Sequence, residues 1–179
     1  KAAGEMRSRV ASSAPFIGTF HSFGASILRR EGKLLGRTRN FVIFDADDSL
    51  KIIKKVVLAL DLPERYSPPK VRYEISKIKN NLLDPAGLDD WLKQTFSEYE
   101  AELRRQNAFD FDDLIEKVVE LFRTSPDILK KHQSRFDYIL IDEYQDINLA
   151  QYALVKLLGA GHRNLNVVGD DQQSIYGFR

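Results

Sequence analysis

Two short apolar runs, each closed by acids and joined by one helical pattern, constrain this chain more than any other feature. Residues 138–141 read Tyr-Ile-Leu-Ile and lead into Asp142 and Glu143. Residues 165–168 read Leu-Asn-Val-Val and lead into Gly169 and Asp170. A continuous apolar run of this kind marks a strand buried on both faces. Between the two, residues 149–158 carry a helical pattern closed by Gly159 and Gly161. Strand, helix, strand at this spacing is a βαβ unit, which implies a parallel sheet. Both acidic ends then fall on one C-terminal sheet edge, where open α/β folds bind ligands.

The rest of the chain divides around that unit. Residues 1–10 read as the end of a helix, with Ala3, Met6 and Val10 at helical spacing. Residues 15–20 form a short apolar run bounded by Pro15 and Gly18-Thr19, which suits a buried strand. A helix follows over residues 21–30, carrying Phe23, Ile27 and Leu28, and Gly32 and Gly36 end it. From about 34 to 107 the pattern is mostly helical, with no strand alternation of any length after Phe44. Asp47 or Asp48 caps a helix with Ile52, Ile53, Val56, Val57 and Leu60 on one face. Ser67-Pro68 starts a second, whose stripe is Val71, Ile75, Ile78 and Leu82. After Asp84-Pro85 a third carries Leu88, Leu92, Phe96, Tyr99 and Leu103. Residues 111–122 are helical again, and Ser125-Pro126 opens another helix. The expected fold class is α/β, with a parallel sheet interrupted by an all-helical insertion.

Paired acids at a strand end can divide two tasks. Asp142 suits a hard cation such as Mg2+, held largely through its waters. Glu143 suits the acceptance of a proton from an attacking water. The plainer reading is a solvated loop that caps the next helix. Gly18-Thr19-Phe20-His21-Ser22 places hydroxyls and helix N-terminal amides where a phosphate would be welcome; its plainer reading is helix capping with a half-buried His21. Residues 172–179 read either as a polar loop with two aromatics packed inward or as part of the acidic edge. Lys70, Arg72, Lys77 and Lys79 crowd the second helix of the insertion. With Val71, Ile75 and Ile78 turned inward, these cations are expected to project outward, toward duplex phosphates or simply toward water.

Composition removes whole classes of chemistry. The 179 residues contain no cysteine, which excludes disulfides, thiolate zinc sites and cysteine nucleophiles. Three histidines scattered along the chain argue against a histidine-rich metal site. Lys and Arg total 27 against 26 Asp and Glu, so any nucleic-acid contact must come from local patches. No apolar run approaches the roughly 18 residues of a membrane-spanning helix. No G-x-x-x-x-G-K-[ST] phosphate loop occurs, since Gly32-Lys33 is followed by Leu34. Lys1 opens the chain in place of Met, and both ends read as cuts through a longer protein.

Taken together, five segments resemble, in order, the motifs of UvrD/PcrA/Rep-type superfamily 1 DNA helicases. Lys1-Ala2-Ala3-Gly4-Glu5-Met6 resembles motif Ia, and Gly18-Thr19-Phe20-His21-Ser22 resembles motif Ib. Asn107-Ala108-Phe109-Asp110-Phe111-Asp112-Asp113-Leu114 resembles the segment that re-enters the core domain. Ile141-Asp142-Glu143-Tyr144-Gln145-Asp146 resembles motif II, the Walker B motif. Residues 169–179 resemble motif III. The resemblance implies a partial RecA-like domain 1A over residues 1–33 and 108–179, with helical domain 1B inserted at 34–107.

It also implies roles. Asp142 would bind the Mg2+ of Mg-ATP, and Glu143 would activate the hydrolytic water. Gln173 would sense the γ-phosphate and link it to the DNA site. Tyr176 and Phe178 would face single-stranded bases, with Thr19, His21 and Ser22 near the DNA backbone. Gln172 stands where many relatives have Asp, and Phe178 where several have Trp. The intact protein would couple ATP hydrolysis to 3'-5' movement on single-stranded DNA and to opening of the duplex junction. The location implied is cytoplasmic and nucleoid-associated, with repair or replication proteins as partners. The chain alone, without Walker A loop or arginine fingers, is expected to be inactive. A helicase–nuclease subunit of the AddA or RecB kind is an alternative, though those carry a larger insertion. A non-catalytic DNA- or protein-binding module is another.

Overall fold

The computed structural model describes residues 16–170 and Gln172. Its helices are α1 (Phe20–Glu31), α2 (Ala46–Ala59), α3 (Pro68–Asn80), α4 (Asp90–Arg105), α5 (Asp113–Thr124), α6 (Pro126–Gln133) and α7 (Leu149–Gly159). Its strands are β1 (Val42–Phe44), β2 (Ala108–Asp110), β3 (Ile139–Ile141) and β4 (Leu165–Val167). Among the described residues these strands form two parallel pairs. Val42 stands opposite Ala108 in one and Ile139 opposite Leu165 in the other. The chain is therefore α/β, and the βαβ unit β3–α7–β4 is parallel as its sequence required.

Two apolar clusters hold these elements. The first joins Ile27 and Leu28 of α1, Phe109, the inner face of α5, and Leu154 and Leu158 of α7. Here α1 crosses α5 so closely that a Cβ on Gly24 would lie 1.7 Å from the Leu114 carbonyl oxygen, so only glycine fits. The second joins Ile52, Ile53 and Val56 of α2, Val71 and Ile75 of α3, and Tyr99 and Leu103 of α4. Leu35 and Phe41 pack on the first cluster, although they lie within the stretch 34–107.

Several local expectations need correction. Residues 16–19 are not a strand: Thr19 accepts the Ser22 N–H at 3.1 Å, and its cap turns the chain helical at Phe20. Helix α2 is capped by Asp45, not by Asp47 or Asp48, whose amides both donate to its carboxylate. β1 lies inside the stretch expected to be all helical. Three residues are too few to show a period. Asn107 registers the pair, since its backbone oxygen accepts the Val42 N–H at 3.0 Å while its side chain bonds Thr38. Nor is β3 covered on both faces, because Leu140 is 70% exposed and only Ile139 packs on the first cluster. The helix read over residues 1–10 lies outside the described residues.

A charge cluster sits where the two apolar clusters meet. Lys79, near the end of α3, is 1% exposed. Its Nζ lies 2.6 Å from Asp113 Oδ1, 2.7 Å from Asp110 Oδ2 and 2.7 Å from Glu100 Oε1. Tyr99 donates its hydroxyl to Asp110 at 2.9 Å. Asp110 and Asp113 also accept each other's backbone N–H. Lys117 pairs with the second oxygen of Glu100 at 3.1 Å. The contacts join α3, α4, β2 and α5 at one point. Lys79 thus does not project outward as the sequence suggested. Position 79 falls one residue past Ile78, on the flank of the stripe, where the neighbouring carboxylates draw it inside.

Burial disfavours the charged Lys79, but Asp110, Asp113 and Glu100 outweigh that and raise its pKa. Burial also pushes Glu100 up, yet Lys79 and Lys117 hold it at about 2 against its usual 4.5. A depressed carboxyl stabilises the fold fully above its unfolded value and stops doing so as pH falls through its folded value. Glu100→Gln should therefore lower stability at neutral pH and flatten the loss of stability between pH 4.5 and about 2. Denaturant midpoints across that range check this; an unchanged acid limb would place the acid sensitivity elsewhere.

Candidate functional site

The β3–β4 pairing brings both acidic strand ends to one edge. Val168 donates its N–H to the Ile141 oxygen at 2.8 Å, and Tyr144 donates to the Val168 oxygen at 2.9 Å. Asp142 and Glu143 stand exposed just beyond. Glu143 sits at φ 53, ψ 45, in the left-handed region that costs an L-residue about 1–2 kcal/mol. Its N–H donates to Asp142 Oδ1 at 3.0 Å. A 3-10 turn, Tyr144–Asp146, follows and leads into α7.

Gln145, in that turn, connects the two strand ends. Its amide nitrogen donates to Glu143 Oε2 at 2.7 Å, and its carbonyl oxygen accepts the Asp170 N–H at 3.1 Å. A Cβ on Gly169 would stand 2.7 Å from that oxygen, so the neighbouring glycine admits the bridge. Sequence reading missed this role; the signal available was Gln145 two residues past a candidate base. No group of three or more metal-binding side chains occurs among the described residues. Exposed Asp142 still suits Mg2+, which keeps several waters and binds through one or two carboxylates plus substrate phosphates.

The α1 entrance is built as a cap. Thr19 accepts the Ser22 N–H, and the Ser22 hydroxyl donates back to the Thr19 carbonyl at 2.9 Å. His21 stacks on Phe111, with ring centroids 3.8 Å apart and planes 22° apart. Partial burial lowers its pKa against the opposing pull of Asp112, which favours the neutral ring. Phe111, which sequence reading passed over, is 53% exposed.

On α3, Lys70, Arg72 and Lys77 are exposed, with Tyr73 beside them at 65%. Arg72 shares its cleft with Asp45 and Asp112, whose carboxylates compete with any phosphate there. Lys79 leaves this group, being enclosed in the charge cluster. Gln173, Tyr176 and Phe178 lie outside the described residues.

Residues 1–179 match the UvrD/REP helicase N-terminal domain family. The chain belongs to that family. It is 40% identical to the ATP-dependent DNA helicase PcrA of Leuconostoc citreum, covering 100% of this chain and 26% of that protein. It is 41% identical to the PcrA proteins of Staphylococcus aureus (100% of this chain, 27% of the relative) and Bacillus subtilis strain 168 (100% and 26%). The chain thus spans about a quarter of the length of the curated relatives it matches. No described helix is long and apolar enough to cross a membrane.

The left-handed Glu143 gives a stability test. Glycine adopts that region without strain, so Glu143→Gly should raise stability by up to about 1 kcal/mol. A thermal melt of the variant checks it; a marked drop would mean that the bond from Gln145 outweighs the strain.

Proposed function

We propose that this chain is the Walker B and DNA-side part of an ATP-dependent 3'-5' DNA helicase. The Walker A loop and arginine fingers it needs would come from outside these 179 residues. The observation that carries the reading is the shared strand edge, where Asp142 and Glu143 stand exposed and Gln145 bridges Glu143 to Asp170. Asp142 would hold Mg2+, which would neutralise charge on the phosphates of ATP. Glu143 accepts the proton of the attacking water as that water's oxygen bonds to the γ-phosphorus and ADP departs. Gln145 aims the Glu143 carboxylate.

Residues 1–33 and 108–179 form domain 1A in this reading, and 34–107 form the inserted domain 1B. The separate apolar cluster of α2, α3 and α4 supports that division. Gln173 reads the γ-phosphate, and Tyr176 and Phe178 stack bases, a grip that tolerates any sequence. Thr19, His21 and Ser22 lie along the single strand. The capping of Thr19 and Ser22 leaves both side chains exposed, which supports this placement. Lys70, Arg72 and Lys77 face the duplex, Lys70 and Lys77 without the carboxylates beside Arg72. A motor acting on DNA works in the cytoplasm at the nucleoid, beside repair or replication proteins.

In the full-length protein, Glu143→Gln should keep Mg-ATP binding and lose turnover by about 10²-fold or more. Normal steady-state turnover in that variant would remove Glu143 as the base. Lys70→Ala and Lys77→Ala should each reduce the salt slope of duplex binding by about 1. An unchanged slope in both would make this face merely solvated.

A further inference from the structure

The last turn of α3 reaches the acidic edge by a second, shorter route than the apolar core. Asn80 follows the buried Lys79 directly. Its amide nitrogen donates to Asp112 Oδ1 at 3.1 Å and to the Ser76 carbonyl at 2.9 Å. Its amide oxygen accepts from Asn148 Nδ2 at 2.5 Å. Asn148 is the N-cap of α7: its own oxygen accepts the Gln151 N–H at 2.9 Å, and Gln151 returns a bond to the Asn148 N–H at 2.9 Å. Only the short turn of residues 144–147 separates that cap from Glu143. Asp112, on the other side of Asn80, adjoins Phe111, on which His21 stacks. One asparagine at the end of α3 therefore touches the segment bearing His21's stacking partner and the helix that follows the Glu143 loop.

We propose that Asn80 is a positioning residue that couples the DNA-facing helices to the Glu143 loop through its bond to Asn148. The proposal rests on the reading of this chain as part of an ATP-driven DNA motor. The physical requirement is a stiff connection at each end. On the α3 side, three ion pairs on Lys79 prevent the helix end from sliding. On the α7 side, the capping box uses the remaining groups of Asn148, so its Nδ2 has one orientation. When DNA shifts α3, the elements that Lys79 ties to it move with it, and the bond to Asn148 passes that shift to the start of α7 and to the turn that carries Gln145 and orients Glu143. With the bond removed, α3 and the start of α7 lose their direct polar link and are joined through the packing of α5 on α7, although both remain folded.

The test uses the full-length protein with Asn148→Ser and Asn80→Ala. Serine retains a capping oxygen for the Gln151 N–H and removes the amide nitrogen that reaches Asn80, so it carries the test if Asn80→Ala folds poorly. The readouts are ATP turnover with and without oligo-dT, KM for ATP, oligo-dT affinity and melting temperature. Stimulation of kcat by DNA should fall about fivefold or more, a typical coupling between sites. DNA-free kcat, KM, DNA affinity and the Asn148→Ser melting temperature should stay at wild-type values. Undiminished stimulation in both variants overturns the proposal. So does an equal fall in DNA-free and DNA-stimulated kcat, which would make the bond a support of the site alone. A wild-type protein with no DNA-stimulated turnover would instead remove the functional reading, and the coupling role with it.

Discussion

A lysine ammonium with no access to water is tolerable only when carboxylates surround it, and Lys79 meets three. Removing one partner from such a cluster typically costs about 3–5 kcal/mol, because the remaining charges are left buried and unpaired. The cluster also has direction. Glu100 comes from α4, Asp110 from β2 and Asp113 from the first turn of α5, so the α2–α4 unit can seat on the rest in one orientation only. An apolar contact of equal area would allow sliding; charge-assisted bonds to fixed oxygens do not. The excess of acid over base has its own consequence. Burial, with Asp110 and Glu100 adjacent, pushes the Asp113 carboxyl well above its usual range even beside Lys79.

That seating places Asn80 against Asn148 and Asp112, and it fixes where α5 begins. Helix α5 in turn supports α1 through the close crossing at Gly24. The acidic edge is then reached from two sides, by β3–β4 pairing from within and by the α3 terminus from without. Its least relaxed residue is Glu143, held left-handed while Gln145 fixes its carboxylate. Glu143 is one of five non-glycine residues at positive φ among the described residues, and its strain falls at a proposed catalytic position within a loop cross-linked to its surroundings.

Much of this was legible in residue order. Apolar runs ending in acids gave β3 and β4, and a strand–helix–strand spacing made them parallel. Pro68 and Pro126 marked helix starts, and the stripes of α3 and α4 named their buried faces. The candidate base and metal ligand could be read because both lie within one contiguous motif. What escaped was either too short to have a period, as with the three residues of β1, or depended on partners distant in sequence. The pairing of Asn80 with Asn148 spans 68 residues, and no local pattern anticipates it.

Lys79 shows the division most clearly. By sequence it was one of four cations on a helix expected to project outward, although helical periodicity put it at the margin of the apolar stripe. The sequence by itself determined the α/β class, the parallel βαβ unit, the acids at its edge and the family motifs, because each follows from local pattern and chain order. Only the tertiary structure decided which cation turns inward, which amide joins α3 to α7 and which backbone carries strain. Those outcomes depend on charges and hydrogen-bonding groups meeting across long loops, and a side chain's environment is set by what folding brings beside it.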